Sequence, residues 1–377
     1  MRILHVTDTF LPKVGGAEIA IDQLARAMTD LGATCAVLAQ AQRGHVREID
    51  VPYTLKRYRN PQSSRWAGWW IERQIRRLEM QAGKFDVMIG HHAFPPGYAC
   101  VKHSRRSGRP AIVYPRGGDI YEVSRFRSKP TAWRKLTWSL ANASAVVCAS
   151  EVMEKSVRQI VGVSSAEGRT ARIPNGVNVN ELRADCGNSH FASDPRLRGP
   201  FILGLGRAIR RKGFHLLIEA FAKIKDQFPE WKLVIAGEGK DLEQLRAQAG
   251  PLHDRVIFTG LVVDADKRLL LQNCRFSAAP SLEESFGNVA LESMACAKPV
   301  IASKASGFAE IVKHDENGKL VEVGSAPALA DALRDYMRAS LGDEGEAALR
   351  TATNFSWRTI AQRYLDLIEN VRRDWQS

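Results

Sequence analysis

Short apolar runs alternate with stretches of helical periodicity along most of the chain. The first half contains the runs RILHVT, TCAVLAQ, FDVMIG, AIVYP and SAVVCAS, each of strand length. Between the first two, residues 17–31 carry apolar positions at helical spacing, and Gly32 ends that pattern. Continuous rather than alternating apolar strands are typical of a parallel sheet covered by helices on both faces. The first half of the chain is therefore predicted to be α/β.

A second cycle of the same pattern begins after SDPRLRGP, residues 193–200. Its predicted strands FILGLG, WKLVIAG, RVIFTG, RFSAAP and KPVIAS alternate with helices from residue 214 onward. The last stretch, WRTIAQRYLDLIENV, reads as one helix. We therefore predict two doubly wound α/β domains, residues 1–192 and 200–355, followed by a helix at 356–377.

The length and composition agree with this division. A chain of 377 residues exceeds what one hydrophobic core organises. No run approaches the roughly 20 apolar residues of a membrane helix, and Asp8 and Lys13 interrupt any signal-peptide pattern. The six cysteines are scattered without a Cys-x-x-Cys pair, which favours reduced thiols over a disulfide or zinc framework. We expect a cytoplasmic protein.

The positive charge is concentrated in one region. The net charge is +13, and residues 61–140 hold 15 Lys and Arg against 5 Asp and Glu, together with five of the eight tryptophans. Basic residues mixed with tryptophan favour an anionic membrane surface. The alternative is a solvated basic face, and no nucleic-acid-binding signature is present. The predicted membrane contacts are Arg65, Trp66, Trp69 and Trp70, then Arg125, Arg127, Lys129, Trp133 and Arg134.

The most distinctive segment is PSLEESFGNVALESMACAKPVIAS at residues 280–303, which predicts a strand end, a glycine-containing loop, a helix and a further strand. At helical spacing Ser285, Asn288 and Glu292 share one face. Seven residues separate Glu292 from Glu284. Carboxylates beside an apolar stripe suit sugars, because each oxygen accepts hydroxyl hydrogen bonds. The alternative is a capping glutamate on a solvated helix face.

A second candidate element is GLGRAIRRKGF at residues 204–214, which lies between a predicted strand and a predicted helix. Its glycines let the backbone approach a ligand, and the helix N-terminus favours an anion. Arg207 and Lys212 add two cations where a diphosphate would lie. Gly213 follows Lys212 in place of Ser or Thr, so this is not a Walker A loop. The alternative is a basic surface loop.

These segments resemble the family-four retaining glycosyltransferases, which transfer a sugar from a nucleotide diphosphate sugar. The resemblance is closest at residues 280–303, continues through residues 306–324 and extends more weakly over nearly the whole chain. It implies the glycosyltransferase B-type (GT-B) fold, two Rossmann-like domains facing each other across a cleft, with the last helix crossing back to the first domain. It also implies a nucleotide sugar as co-substrate, without a metal or other cofactor.

The resemblance implies a role for each matching residue. Arg207, Lys212 and Glu284 would be the catalytic set, with the two cations holding the diphosphate as charge develops on it. Glu292 would bind ribose hydroxyls, and KVGGAE at residues 13–18 would turn backbone amides toward the diphosphate. The implied donor-binding residues are Gly15, Gly16, Arg207, Lys212, Glu284, Phe286, Gly287, Asn288 and Glu292.

The acceptor side departs from the family at position 116, where many relatives carry histidine. Arg116 donates hydrogen bonds and cannot act as a base, so general-base catalysis is not inherited there. The implied acceptor-binding residues are His92, Arg116 and Asp119, and His91 ends the same predicted strand. The implied reaction moves a hexose from a UDP- or GDP-sugar to a saccharide or glycolipid of bacterial lipopolysaccharide or exopolysaccharide synthesis.

Other interpretations of the same residues remain open. A non-hydrolysing nucleotide-sugar epimerase has the same two-domain plan and needs no acceptor, and a non-catalytic nucleotide-sugar binder needs only the donor site. Asp264 and Asp266 form an Asp-x-Asp pair, which binds metal in a different glycosyltransferase fold. Because the pair precedes a helix, we predict helix capping and a favourable dipole interaction instead of a metal site.

Overall fold

The computed structural model describes residues 1–13, 15–41, 49–59, 66–121, 124, 126–163, 168–305 and 307–376. Within these residues the chain forms two compact units. The first domain consists of Met1–Gly176 together with Trp357–Ser377, and the second domain of Val177–Ser356. Two of the predicted membrane contacts, Arg65 and Arg125, lie outside the described residues.

The first domain is built on a parallel sheet whose strands are joined by helices. Its strands are β1 (Arg2–Thr7), β2 (Thr34–Gln40), β3 (Thr54–Tyr58), β4 (Val87–His91), β5 (Ala111–Tyr114), β6 (Ala145–Cys148) and β7 (Thr170–Arg172). Its helices are α1 (Gly16–Asp30), α2 (Ala67–Ala82), α3 (Tyr98–Ser107), α4 (Pro130–Asn142) and α5 (Glu151–Val161), together with the terminal helix Trp357–Gln376. In the described residues the strand order is β3-β2-β1-β4-β5-β6-β7, and every pairing is parallel.

The second domain repeats this plan. Its strands are β8 (Phe201–Leu205), β9 (Lys232–Ala236), β10 (Val256–Gly260), β11 (Phe276–Ala279), β12 (Val300–Ser303) and β13 (Gly318–Val321). Its helices are α6 (Val179–Leu182), α7 (Phe214–Ile224), α8 (Leu242–Ala249), α9 (Asp264–Asn273), α10 (Asn288–Ala295), α11 (Ala326–Arg338) and α12 (Gly342–Asn354). The described strands run in the order β10-β9-β8-β11-β12-β13, again all parallel.

Both sheets have a topological switch point, which decides where ligands can bind. The order reverses between β1 and β4 in the first domain and between β8 and β11 in the second. Loops that leave these strand pairs at their carboxyl ends run in opposite directions and open a crevice at the sheet edge. The doubly wound α/β fold predicted from the sequence is confirmed, and its switch points coincide with the segments that carry the candidate chemistry.

The boundary between the domains lies earlier in the chain than residue 192, where the sequence analysis placed the end of the first domain. The second domain begins at Val177, because the segment after it is bonded to α9. The Gln272 side-chain amide donates to the carbonyl oxygens of Leu182 and Ala184, both at 2.8 Å. The Pro-, Arg- and Gly-containing stretch at 193–200 therefore leads into β8 and does not link the domains.

The terminal helix belongs to the first domain although the second domain precedes it in sequence. It packs against α1. Its Tyr364 is buried, with its ring centroid 6.4 Å from that of Tyr114 on β5. The chain therefore enters the second domain once and returns.

Candidate functional site

The switch point of the second domain brings two predicted elements into contact. The loop after β8 carries Lys212, and the loop after β11 carries Glu284. The Lys212 Nζ donates to Glu284 Oε2 at 2.5 Å, and the two side chains are only 15% and 14% exposed. The Ser285 backbone amide donates to the other carboxylate oxygen at 3.1 Å. These residues, seventy-two positions apart in sequence, form one polar cluster.

Close backbone packing fixes this arrangement, and glycine is required for it. Gly213 has a φ of +71°, and a Cβ at this position would lie 1.9 Å from the carbonyl oxygen of Pro280. The Leu282 amide donates to the carbonyl oxygen of Arg211 at 2.8 Å, which ties the two loops together. Any side chain at 213 would force the loops apart, because it meets backbone and not a flexible side chain.

The Glu284 carboxyl is ionised at neutral pH. Burial alone would raise its pKa, but the Lys212 ammonium and the Ser285 amide outweigh burial and lower the pKa below its ordinary value. An ionised carboxylate only accepts hydrogen bonds, so Glu284 can hold hydroxyl groups and cannot donate a proton. Its engagement with Lys212 also makes it a weak nucleophile.

Arg207 differs from Lys212 in being open to solvent. It follows Gly206 at the end of β8, and its side chain is exposed. Its guanidinium forms no ion pair or hydrogen bond with the residues that the structure describes. The sequence predicted two available cations, whereas the structure engages Lys212 with Glu284 and leaves Arg207 exposed. An ammonium has three donors, so Lys212 keeps two for another ligand.

Glu292 lies on α10 and is paired with a residue that the sequence analysis did not single out. The Lys267 Nζ on α9 donates to Glu292 Oε1 at 2.6 Å, and both side chains are almost one-fifth exposed. Lys267 lies one residue beyond the Asp264–Asp266 pair, in the first turn of α9. Charged residues are common at the exposed start of a helix, so the local sequence does not mark Lys267 as a functional residue. Only the packing of α9 against α10 reveals the pair.

The segment that links Glu284 to α10 contains a buried aromatic side chain, a glycine with positive φ and the start of the helix. The Phe286 side chain is buried, with its ring centroid 6.1 Å from that of Phe355. Gly287 precedes α10 with a φ of +106°, and Asn288 is the first helical residue. The first turn of a helix leaves backbone amides without intrahelical acceptors, which favours an anion or a hydroxyl oxygen at this point.

The Asp-x-Asp pair has a different role from the capping that we predicted. The residue at the N-cap of α9 is Val263, and no side chain caps this helix. Asp266 instead accepts hydrogen bonds from the Ser189 hydroxyl and the His190 amide, both at 2.8 Å. Both aspartates still lie in the first helical turn, where negative charge is favourable. Among the described residues no cluster of three His, Cys, Asp or Glu side chains could hold a metal ion.

In the first domain, the loop between β1 and α1 lies at the switch point. Gly15 precedes α1 in an extended conformation, and Gly16 is its first residue. Glu18 is buried in the first turn, where it accepts a hydrogen bond from the Thr9 hydroxyl. The Lys13 ammonium lies 4.0 Å from the same carboxylate. The Glu18 carboxylate therefore lies at the positive end of the helix, where a negative charge is favourable.

The candidate acceptor residues lie together at the carboxyl ends of β4 and β5. His92 adopts a φ of +78° and pairs through Nδ1 with Asp8 at 2.9 Å. Burial alone would lower the pKa of His92, but the Asp8 carboxylate outweighs burial and raises it. Asp119 is buried, and its two oxygens accept the amides of Arg116 at 2.9 Å and Ala93 at 2.7 Å. Asp119 therefore orders the two loops.

A chain of hydrogen bonds, which we call the imidazole relay, runs from Arg116 through His91 to His5. The Arg116 guanidinium lies 2.7 Å from His91 Nδ1, and His91 Nε2 lies 3.0 Å from His5 Nδ1. The two imidazole rings are nearly parallel, with an interplanar angle of 5° and centroids 5.3 Å apart. Both histidines are fully buried. His5 lies within β1, and its place in an apolar run predicts a strand residue and nothing more.

The exposed surface of α2 combines aromatic and basic side chains. Its members, which we call the α2 face, are Trp66, Trp69, Arg73, Arg76, Arg77 and Met80, and all six are exposed. Trp66 is 59% exposed and Trp69 40%. The acidic residues of this helix point elsewhere, with Glu72 paired to Lys102 and Glu79 to His103 on α3. Within the described residues, no helix is long and apolar enough to span a bilayer.

Two family models match the chain, one after the other. The model described as glycosyltransferase family 4 matches residues 14–181, and the model described as glycosyl transferases group 1 matches residues 187–353. The chain belongs to the group 1, family-four glycosyltransferases. The family resemblance inferred from the sequence is thereby confirmed, and the protein is an enzyme that transfers a glycosyl group.

Curated relatives of this glycosyltransferase carry different names. A phosphatidyl-myo-inositol mannosyltransferase of Mycobacterium leprae is 37% identical over 206 residues, which is 53% of each chain. The Mycobacterium tuberculosis enzyme of the same name is 29% identical over 98% of this chain and 97% of its own. The lipopolysaccharide core biosynthesis glycosyltransferase LpsE of Rhizobium meliloti is 26% identical over 97% of this chain and 99% of its own.

Solved structures share the fold of this glycosyltransferase. Anabaena Alr3699/HepE, solved in complex with UDP-glucose, superposes with a TM-score of 0.79 at 21% sequence identity. The match covers 98% of this chain and 100% of that one. At this identity the likeness establishes the fold alone.

Proposed function

We propose that this glycosyltransferase transfers a sugar from a UDP- or GDP-sugar, with retention of configuration, to a saccharide or glycolipid acceptor. The observation that carries the proposal is the Lys212–Glu284 pair at the switch point of the second sheet, with Arg207 open beside it. Two cations and an ionised carboxylate at this edge match a diphosphate followed by a hydroxylated sugar.

Each of these residues would have a distinct part in the reaction. Arg207 and the remaining donors of Lys212 would bind the diphosphate, and they would stabilise the charge that develops on it as the sugar leaves. Glu284 would accept hydrogen bonds from sugar hydroxyls, and Glu292 from ribose hydroxyls. The amides of Gly15 and Gly16, and those from Phe286 to Asn288, would supplement them. No metal or other cofactor is required, because the protein supplies the positive charge.

Retention is proposed to occur by attack on the same face that the leaving group departs from. Glu284 is ion-paired and serves better as a hydrogen-bond acceptor than as a nucleophile. The oxygen of the leaving phosphate would then take the proton of the acceptor hydroxyl. This route needs no general base, which agrees with arginine at position 116.

The proposed acceptor is a membrane-borne intermediate of bacterial lipopolysaccharide or exopolysaccharide synthesis. The mannosyltransferase relatives are named for a phospholipid, and LpsE for lipopolysaccharide core biosynthesis. The α2 face would place the first domain on an anionic cytoplasmic membrane surface, since tryptophan suits the interfacial layer and arginine attracts anionic lipid. The enzyme would thus be peripheral and cytoplasmic.

The first experiment is a thermal-shift panel of UDP-, GDP- and ADP-sugars, followed by transfer assays with the best donor. A ligand at 100 times its Kd adds roughly 2.7 kcal/mol of stability. Glu284→Gln should lose transfer, whereas Glu283→Gln, next to it and paired with Arg211 at 3.7 Å, should keep it. The anomeric configuration of the product, determined by NMR, tests retention.

The two alternative functions give different results in the same assays. Conversion of the nucleotide sugar without any acceptor would indicate an epimerase. Stabilisation by a donor, with neither hydrolysis nor transfer to any extracted glycolipid, would indicate a binder. Stabilisation by none of the donors would overturn the proposed nucleotide-sugar site.

A further inference from the structure

The guanidinium of Arg116 is held entirely by neutral groups. It donates to His91 Nδ1 at 2.7 Å and approaches the amide oxygen of Asn175 at 3.5 Å. Its Cζ lies 3.9 Å from the centre of the Tyr114 ring. In the described part of the chain, Arg116 forms no ion pair with a carboxylate. A half-buried guanidinium normally has such a partner, so this charge is left without a partner of opposite sign.

Two nearby carboxylates, those of Asp119 and Asp8, have other partners. Asp119 accepts two backbone amides, and Asp8 pairs with His92. Within the described residues, neither carboxylate forms an ion pair with Arg116. The Nε of Arg116 is also buried without a hydrogen-bond partner among the described residues, which adds to the cost of holding the guanidinium here.

The imidazole relay fixes the position of Arg116 without neutralising it. Because arginine can only donate, His91 Nδ1 must accept, and the proton of His91 is therefore on Nε2. That N–H donates to His5 Nδ1, which places the His5 proton on Nε2 as well. An imidazolium has no acceptor nitrogen, so both rings are neutral. A carboxylate in the place of His91 would hold Arg116 equally well and would cancel its charge.

We propose that Arg116 binds an oxyanion, a phosphate or a carboxylate, carried by the acceptor, and that His91 and His5 are positioning residues for it. This inference rests on the proposed function, because it names the chemical class of the acceptor. Arg116 lies at the carboxyl end of β5 in the first domain, away in sequence from the cations of the second domain. A guanidinium forms paired, charge-assisted hydrogen bonds with such groups.

The test uses inorganic phosphate as the probe and the intact protein. The protein is first saturated with whichever of UDP or GDP stabilises it, so that the donor phosphate site is filled. Phosphate is then titrated by calorimetry at constant ionic strength. Arg116→Gln should weaken phosphate binding by roughly tenfold or more, since a charged hydrogen bond is lost. Arg105→Gln, an exposed arginine bonded to Asn142 at 2.7 Å, is the matched control and should bind normally.

The results separate the possible sources of the oxyanion. If the wild-type protein binds no phosphate once the nucleotide is present, or if Arg116→Gln binds it equally well, the inference is overturned. If Arg116→Gln instead weakens binding of UDP or GDP itself, Arg116 serves the donor and not the acceptor. If no nucleotide sugar stabilises the protein, the proposed function fails, whereas phosphate binding that depends on Arg116 would still be measurable without nucleotide.

The positioning role of His91 needs a test that a purely structural role would not satisfy. His91→Leu removes the acceptor and should weaken phosphate binding as Arg116→Gln does. His91→Gln keeps an oxygen acceptor toward Arg116 and an N–H donor toward His5, so it should restore most of the binding. Equal loss in both variants, with unchanged Tm, would show that the imidazole relay does not position Arg116.

Discussion

Lys212 Nζ lies 2.5 Å from Glu284 Oε2, although the two residues belong to loops that follow different strands. The pair links the cation of one candidate motif to the carboxylate of the other. It also explains how both remain charged while largely buried, since each lowers the cost of burying its partner. Because the ammonium keeps two further donors, the same lysine can hold a carboxylate and a phosphate oxygen together.

We predict that Lys212→Ala and Arg207→Ala differ in stability but not in activity. Each should lower kcat/KM by ~10²-fold, as loss of one electrostatic stabiliser does. Lys212→Ala should also lower the free energy of unfolding by roughly 2 kcal/mol, because it leaves the buried Glu284 carboxylate without its cation. Arg207→Ala should change it by less than about 0.5 kcal/mol. Initial rates and urea unfolding measure the two effects, and near wild-type kcat/KM in both variants would remove these residues from the diphosphate site.

Glu292→Gln is expected to fold normally and to bind the donor nucleotide about tenfold more weakly or worse. The substitution keeps the shape of the side chain but loses the charged acceptor, worth roughly 1.5–3 kcal/mol. Calorimetry with UDP and GDP measures the change. Glu316→Gln, on an exposed loop of the same domain, is the control. Unchanged nucleotide affinity in Glu292→Gln would mean that this carboxylate pairs with Lys267 and does not bind the nucleotide.

Transfer activity should survive an excess of EDTA. The expected positive charge at the donor site comes from Arg207 and Lys212, and Asp266 is occupied by Ser189 and His190. Rates are compared before and after chelation, and again after addition of Mg²⁺ or Mn²⁺. Activity abolished by EDTA and restored by either ion would assign a metal to the reaction.

The imidazole relay predicts a loss of stability in mild acid. Burial, assisted by the Arg116 charge, lowers the pKa of His5 from 6.5 to about 3. The stability that neutral His5 contributes to the folded state is therefore complete above the pKa of this residue in the unfolded chain. It is lost as the pH falls from about 6.5 toward 3. At pH 5 the loss is about 2 kcal/mol, at about 1.36 kcal/mol per unit. Urea unfolding of the wild type and His5→Gln at pH 7 and pH 5 measures this difference.

Tryptophan fluorescence suits that measurement, because seven of the eight tryptophans belong to the first domain and only Trp231 to the second. The glutamine cannot titrate, so His5→Gln should show a smaller pH dependence than the wild type. His253→Gln, an exposed histidine of the second domain, should show the wild-type dependence. The same pH dependence in all three proteins would contradict the burial of neutral His5.

The α2 face should bind anionic vesicles. Exposed tryptophans insert at the interface, and each arginine adds about 1 kcal/mol that salt screens. Co-sedimentation with anionic and zwitterionic vesicles at low and high salt measures the effect. The double variant Trp66→Ser and Trp69→Ser should reduce binding, whereas Trp375→Ser, a 40% exposed tryptophan elsewhere in the first domain, should not. Equal binding to both lipids would mean that the α2 face is an ordinary solvated surface without a preference for anionic membranes.

The inner strands and the edge strand β10 could be predicted from the sequence, whereas the edge strands β3, β7 and β13 could not. β1, β4 and β5 are continuous apolar runs because helices cover both of their faces. The edge strand β3, TLKRY, alternates in burial and resembles a polar loop, whereas β7, TAR, and β13, GKLV, contain too few buried apolar residues to form an apolar run. Edge strands often carry charged or polar side chains, which discourage pairing with other chains, and this weakens their hydrophobic signal.

The residues of the candidate site likewise fall into those that the sequence predicts and those that it does not. Glu284, Glu292, Arg207 and Lys212 were found because they lie in motifs, that is, in local order along the chain. Lys267 and His5 were not found, because each acquires its role from a partner far away in sequence, at 25 and 86 positions respectively. No local pattern marks a lysine that pairs across two helices, or a histidine that supports another histidine.

The return of the terminal helix to the first domain affects how the protein is made. On the ribosome, every residue of the second domain emerges before Trp357 does. The second domain can therefore complete its fold while α1 and the Tyr114 region still lack the helix that covers them. The first domain begins synthesis first and finishes last, so a chain cut short after Ser356 would release one finished domain and one with an open apolar surface.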